Sequence, residues 1–209
     1  CGRIIFRNCE MSLAPGAIIT SSADGIHLGS NRFGVIIDNC EFGNSFDDLI
    51  NTQTYSGEIT KIINDYTYET SRDMFCSVGD EIKFFNTSNH EIVGTAFLKE
   101  IEKKEDGGYR LTVDRKVYKV LSQETSNTPT SMYNLDSANK GNIIKNSTFK
   151  NSRRHAYIIR SACSIVENNI MENNSGAALE AANEIHGTSN EGLVPSALTF
   201  RNNTVSGEG

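Results

Sequence analysis

Three acidic residues, Asp24 and the consecutive pair Asp47 and Asp48, have the types and spacing that could do chemistry in this 209-residue chain. Carboxylates held close together divide into one that keeps a proton and one that stays ionised, because like charges oppose a second ionisation. Cleavage of a glycosidic bond uses that division, with one carboxylic acid protonating the leaving oxygen and a second carboxylate activating water or attacking. His27, Asn51, Arg154, His155 and Glu180 are the accompanying candidates for contacts to a sugar. Asp-Gly and Asp-Asp are ordinary turn sequences, so these aspartates gain meaning only if the fold stacks them.

An internal repeat supplies that stacking. The phrase apolar-apolar-x-Asn-small recurs as Ile5-Phe6-Arg7-Asn8-Cys9, Ile36-Ile37-Asp38-Asn39-Cys40, Ile143-Ile144-Lys145-Asn146-Ser147, Ile165-Val166-Glu167-Asn168-Asn169 and Thr199-Phe200-Arg201-Asn202-Asn203. The asparagines step by 31, 107, 22 and 34 residues, from 8 through 39, 146 and 168 to 202. A coil of about 22 residues with loops inserted is a β-solenoid period. The expected fold is therefore all-β, a right-handed parallel β-helix. Asn suits its corners because it tolerates a left-handed backbone and its amide can bond the Asn stacked on it.

The long step from Asn39 to Asn146 exceeds one coil by 85 residues, and the intervening sequence changes character. Glu81-Ile82-Lys83-Phe84-Phe85 and Tyr109-Arg110-Leu111-Thr112-Val113 alternate as antiparallel strands do, separated by the turn Asp106-Gly107-Gly108. A small antiparallel β-barrel inserted over 53–138 is predicted, between solenoid segments 1–52 and 139–209. Both ends of the chain fall in strand-like runs, so a fragment of a longer protein is expected.

Aligning coils after each Asn corner puts Ile26, Leu49, Tyr157 and Leu179 in one inward column. His27 and Glu180 then face outward beside Gly25 and Asp48, and Asp24 lies one coil from Asp47, 23 residues on. Asp47 and Asp48 can both reach the groove only if a turn or bulge interrupts the strand.

Composition narrows the partners. The net charge is −6 and the basic residues are scattered, which disfavours nucleic acid. No apolar run is long enough to span a bilayer. The five cysteines lack CxxC spacing, so no metal site, cofactor or disulfide framework is expected; they read as buried thiols, with Cys9 stacked on Cys40 as a thiol ladder. The sequons at Asn146 and Asn202 fall on corners expected to be buried, so glycosylation is not expected there. Trp, the commonest sugar-stacking residue, is absent.

The segments Ala23-Asp24-Gly25-Ile26-His27 and Asp47-Asp48-Leu49-Ile50-Asn51, the barrel-like insertion after them, and the returning coils through Gly176-Ala177-Ala178 and Asn202-Asn203 together resemble the bacterial α-1,3-galactosidases of glycoside hydrolase family 110. That resemblance implies an exo-acting, inverting hydrolase of terminal α-linked galactose, secreted or periplasmic, with Asp24 as general acid, Asp47 or Asp48 as base, and no metal. A carbohydrate is the partner it implies, with a homo-oligomer admitted. The loop Asn183-Glu184-Ile185-His186-Gly187 departs from the pattern in lacking an aromatic. Two other readings stay open: a β-helical polysaccharide lyase holding calcium on the acidic face, and a glycan-binding module without catalysis.

Overall fold

A computed structural model describes residues 2–89, 91–105, 107–186, 189–193 and 195–207. Cys1, Asp106 of the expected turn and Gly187 of the last loop lie outside the described residues. The chain divides into two compact units, Cys1–Gln53 with Asn139–Asn183 and Leu193–Gly209, and Thr54–Ala138 with Glu184–Gly192.

The first unit is a parallel β-helix. One of its sheets stacks Ile5–Arg7, Ile36–Asp38, Ile143–Lys145, Ile165–Glu167 and Thr199–Arg201, and a second stacks Glu10–Met11, Glu41–Gly43, Thr148–Lys150, Ile170–Glu172 and Thr204–Ser206. The third carries Ile26–Gly29, the first residues of Ile50–Asn64, Tyr157–Ile159 and Leu179–Ala181. Pairing in the first sheet follows the steps of 31, 107, 22 and 34 that the asparagines take, since Ile5, Ile36, Ile143, Ile165 and Thr199 are in register. Period-2 alternation sends the middle residue of each short strand inward, so Ile37, Ile144 and Val166 are fully buried beside the stacked rings of Phe42 and Phe149.

The corner asparagines adopt the left-handed backbone, with φ of 55, 54, 52, 56 and 53° at Asn8, Asn39, Asn146, Asn168 and Asn202. Asn39 Nδ2 donates to Asn8 Oδ1 at 2.8 Å, and Asn146 Nδ2 to Asp38 Oδ1 at 3.0 Å. Five residues on, a second corner repeats the device at Asn44, Asn151 and Asn173, with φ of 60, 57 and 55°. The expectation that the sequon corners are buried is corrected, because Asn146 and Asn202 are exposed. A left-handed residue turns its own side chain out and the next one in, so Cys40, Ser147 and Asn169 are the buried members. Cys9 and Cys40 occupy that inner column as free thiols, each donating to the carbonyl two residues back. The reading of all cysteines as buried also fails: Cys9 and Cys76 are half-buried and Cys163 is exposed.

The second unit is an antiparallel barrel that closes on itself. The later part of Ile50–Asn64 pairs with Thr67–Thr70, followed in order by Tyr109–Val113, Glu91–Lys103, Glu81–Asn86 and Thr130–Asn134, which returns to the first strand through Ser131 and Glu58. Closure removes sheet edges, and Ile59, Tyr68, Ile82, Phe84, Leu98 and Met132 fill the interior. The antiparallel hairpin of Glu184–His186 and Ser189–Gly192 joins this unit at Thr54 and Tyr55, a membership that sequence spacing does not reveal. Among the described residues no helix is long and apolar enough to cross a membrane.

The corner geometry predicts that Asn39→Val, which forces a β-branched residue into a left-handed backbone and removes the amide bond, destabilises the protein by about 2 kcal/mol, whereas Asn39→Gly costs about half of that or less. Urea unfolding of the two variants measures the difference, and equal losses would contradict the left-handed corner.

Candidate active site

The third sheet of the β-helix sets the columns on which the acidic residues stand. Ile26 pairs with Ile50, Ile50 with Tyr157, and Tyr157 with Leu179. Asp24 therefore stacks on Asp48, 24 residues on, and the expected pairing with Asp47 at a step of 23 is corrected by one residue; Ile50 replaces Leu49 in the inward column. The Gly25 N–H donates to Asp48 O at 2.9 Å, and the Leu49 N–H to His155 O at 3.0 Å, which fixes the rungs.

Equal steps from the corners account for the register, since Ile50, Tyr157 and Leu179 each stand 11 residues after Asn39, Asn146 and Asn168; the bend at Phe46 and Asp47 resolves the tension over two consecutive aspartates. Asp47 precedes the strand that starts at Ile50, its N–H donates to Ser45 Oγ at 3.2 Å, and its Oδ1 accepts the Asp48 N–H at 3.1 Å. Outside the strand, alternation does not separate neighbours. One oxygen from each of Asp24, Asp47 and Asp48 lies within 4.8 Å of those from the other two.

The three carboxyls sit in different surroundings. Asp24, with 11% of its side chain exposed, accepts on Oδ2 from His27 Nδ1 at 2.8 Å and from Asn51 Nδ2 at 3.1 Å. Burial alone would raise its pKa, but the hydrogen bonds from His27 and Asn51 and the charge of His27 together hold it below the ordinary carboxylate value. Asp48 is 2% exposed and accepts the His155 N–H on Oδ1 at 2.9 Å. Its pKa is pushed up to about 6, chiefly by burial, with the neighbouring Asp24 charge adding to the rise and the His155 hydrogen bond opposing it. Asp47 is the open member, with 37% of its side chain exposed and Arg154 Nη1 at 3.5 Å.

The remaining predicted residues divide between support and open surface. His155 Nδ1 accepts the Ala177 N–H at 2.8 Å and its Nε2 lies 2.8 Å from Glu180 Oε2, so both ring nitrogens are committed. Gly176 makes room for that ring, since a Cβ there would sit 2.6 Å from Nδ1. His27 Nε2 lies 2.5 Å from Gln53 Nε2. His27 and Asn51, expected to touch sugar, are thus turned toward Asp24, while Arg154 and part of Glu180 remain open. Sequence reasoning passed over Gln53 and Arg160. Arg160, 1% exposed, donates from Nη1 to Asn51 Oδ1 at 3.1 Å. The signal available for it was a cation ending the apolar run Tyr157-Ile158-Ile159. As a donor set the acidic oxygens could be bridged by a cation, but Asp24 and Asp48 already accept N–H groups from the protein.

No protein-family model matches the chain. The chain is similar to alpha-1,3-galactosidase B of Akkermansia muciniphila, 23% identical over 208 residues, an alignment that takes in 91% of this chain and 25% of that enzyme. It thus spans about a quarter of the length of the curated relative it matches. Among solved structures, the tailspike protein gp49 of Pseudomonas phage LKA1 aligns over 98% of this chain and 44% of its own, at 10% identity and a TM-score of 0.30, too low to bear on the site.

The opposed proton affinities predict a pH dependence of folding. Asp48 takes up its proton near pH 6 in the folded protein and near pH 4 when unfolded, so between those values the folded state binds more protons and stability falls as pH rises. Asp24 acts oppositely, its contribution being lost as pH falls through its lowered folded pKa. Asp48→Asn is therefore expected to gain up to about 3 kcal/mol on the parent between pH 4 and pH 7, read by urea unfolding across that range. Parallel profiles for the two proteins would refute the assignment.

Proposed function

We propose that the Asp24, Asp47 and Asp48 cluster hydrolyses terminal α-linked galactosides on glycans, with inversion of configuration. The observation that carries this reading is the unequal proton affinity within one carboxylate cluster, Asp24 held ionised and Asp48 raised to about 6. Such a split is what acid–base cleavage of a glycoside uses. The choice of galactose rests on similarity to an enzyme named as an α-1,3-galactosidase, and a glycan substrate favours action outside the cytoplasm.

The electrostatics favour reversing the roles that the family resemblance implies. An acid must hold a proton before the sugar arrives, and the hydrogen bonds on Asp24 hold it below the ordinary carboxylate value, which disfavours its protonated form. Asp24 is the better base for water, and the proton for the leaving oxygen comes from the Asp47 and Asp48 side. Asp48 stores it near pH 6, while Asp47, with 37% of its side chain exposed beside Arg154 at 3.5 Å, is the group that an aglycone can reach. Contacts to sugar hydroxyls fall in this reading to Arg154 and Glu180, whose side chains are 52% and 30% exposed.

One observation favours a second reading. Inverting enzymes separate the two carboxyl groups by about 6.5–9.5 Å and retaining enzymes by about 5–5.5 Å. Nearest oxygens within 4.8 Å stand closer to the retaining class. Inversion requires Asp47, the least constrained of the three, to swing outward with the leaving group.

Leaving-group dependence separates acid from base. Asp24→Asn should lower kcat/KM by about a hundredfold or more on natural and on dinitrophenyl α-galactosides alike. Asp47→Asn should cost as much on a natural galactoside but less than about tenfold on the dinitrophenyl substrate, whose leaving group needs no proton. The reverse pattern would return the acid to Asp24, and full activity in both variants would remove the cluster from catalysis.

A further inference from the structure

Asp24 depends on two neighbours that must each offer a hydrogen to the same oxygen, and neither residue type guarantees it. The Asn51 carboxamide has a donor at one end and an acceptor at the other, and a neutral His27 ring carries its proton on either nitrogen. If Asn51 turned over, its carbonyl oxygen would face a carboxylate and repel it.

Behind Asn51 stands Arg160, whose Nη1 lies 3.1 Å from Asn51 Oδ1. A guanidinium has only donors and keeps its charge at any physiological pH, so it accepts one orientation of the amide alone. Oδ1 faces Arg160, and Nδ2 is left 3.1 Å from Asp24 Oδ2. The helix places the guanidinium there by register: the Arg160 N–H donates to Thr52 O at 2.9 Å, and alternation from the inward Tyr157 and Ile159 puts Ile158 and Arg160 on the face that carries Asn51 and Gln53. Arg160 is 1% exposed, so its charge acts with little screening by water. The Gln53 amide at His27 Nε2 does the parallel work on the ring, since a donor there leaves the proton on Nδ1, toward Asp24. A glutamine can itself turn over, so the one-way element is the arginine.

We propose that Arg160 is a positioning residue for the acid–base site, locking the Asn51 carboxamide so that the Asp24 carboxylate is held in one orientation at the cluster. This rests on the hydrolytic reading for its catalytic meaning, but not for the lock itself. Asp24 also faces His27 on its own coil and Asp47 and Asp48 on the next, with Arg154 and His155 beyond them, so a shift on removing Arg160 must be compared with one on removing the Asn51 donor alone.

The test is a carboxyl 13C NMR titration of aspartate-labelled protein, with the Asp24 resonance assigned through Asp24→Asn. Arg160→Met and Asn51→Leu should each raise the Asp24 pKa by about one unit, and Arg160→Lys, which keeps a donor, should recover at least about half of that. In turnover, Asn51→Leu and Arg160→Met should lower kcat about tenfold or more with KM changed less than about twofold, and move the acidic limb of the kcat/KM profile upward with the Asp24 titration. If Arg160→Met does not fold, Asn51→Leu and Arg160→Lys decide. An Asp24 titration unchanged in folded Asn51→Leu, or equally raised in Arg160→Lys and Arg160→Met, overturns the proposal. A raised Asp24 pKa in a protein that cleaves no galactoside upholds the lock and rejects the hydrolytic reading.

Discussion

A parallel β-helix stacks residue on residue at one strand spacing, about 4.8 Å, and everything at the acidic site depends on that ladder. Once Ile26 pairs with Ile50 and Ile50 with Tyr157, the rungs before them carry Asp24, Asp48 and His155 whatever the loops do. Two carboxyl groups one strand apart cannot ignore each other, and the core packed behind them removes the water that would screen their repulsion. The same ladder supplies the relief, because the His155 N–H meets Asp48 and the Asn51 amide meets Asp24.

Burial and hydrogen bonding then act in opposite directions on neighbouring groups. Asp48 accepts one backbone N–H against strong desolvation and retains its proton to about pH 6. Asp24 accepts from His27 and Asn51 and is held ionised although it too is largely buried. Residues that sequence reasoning placed on the sugar are, in this arrangement, the ones that prepare the carboxylate. His27 and Asn51 serve Asp24, His155 serves Asp48 and is itself held between Ala177 and Glu180, and Gly176 leaves room for the ring.

Much of this was legible because solenoids write their structure periodically. The apolar pairs before each asparagine paired in the register that the spacing implied, even across the 107-residue step that spans the barrel. The register at the site was legible too, since counting 11 residues from Asn39, Asn146 and Asn168 reaches Ile50, Tyr157 and Leu179; the adjacent apolar Leu49, itself buried, is what made the neighbouring register look equally good. Corner asparagines looked buried because they recur, yet recurrence reflects a backbone demand, and the buried partners are the residues after them, such as Cys40 and Asn169. Arg160 was passed over because a lone arginine after an apolar run reads as a solvated strand end, and only the columns show it meeting Asn51.

The ladder thus brings three scattered aspartates into one cluster, and the hydrolysis proposed for it leaves one question of geometry, whether water or a carboxylate would attack the sugar. The anomer released at the first turnover answers it most directly, followed by proton NMR during hydrolysis of a terminal α-galactoside. Water activated by Asp24 yields β-galactose first, with the α-anomer growing in only by mutarotation. Initial release of α-galactose would contradict the account, and so would a purified, folded protein that releases no galactose at all.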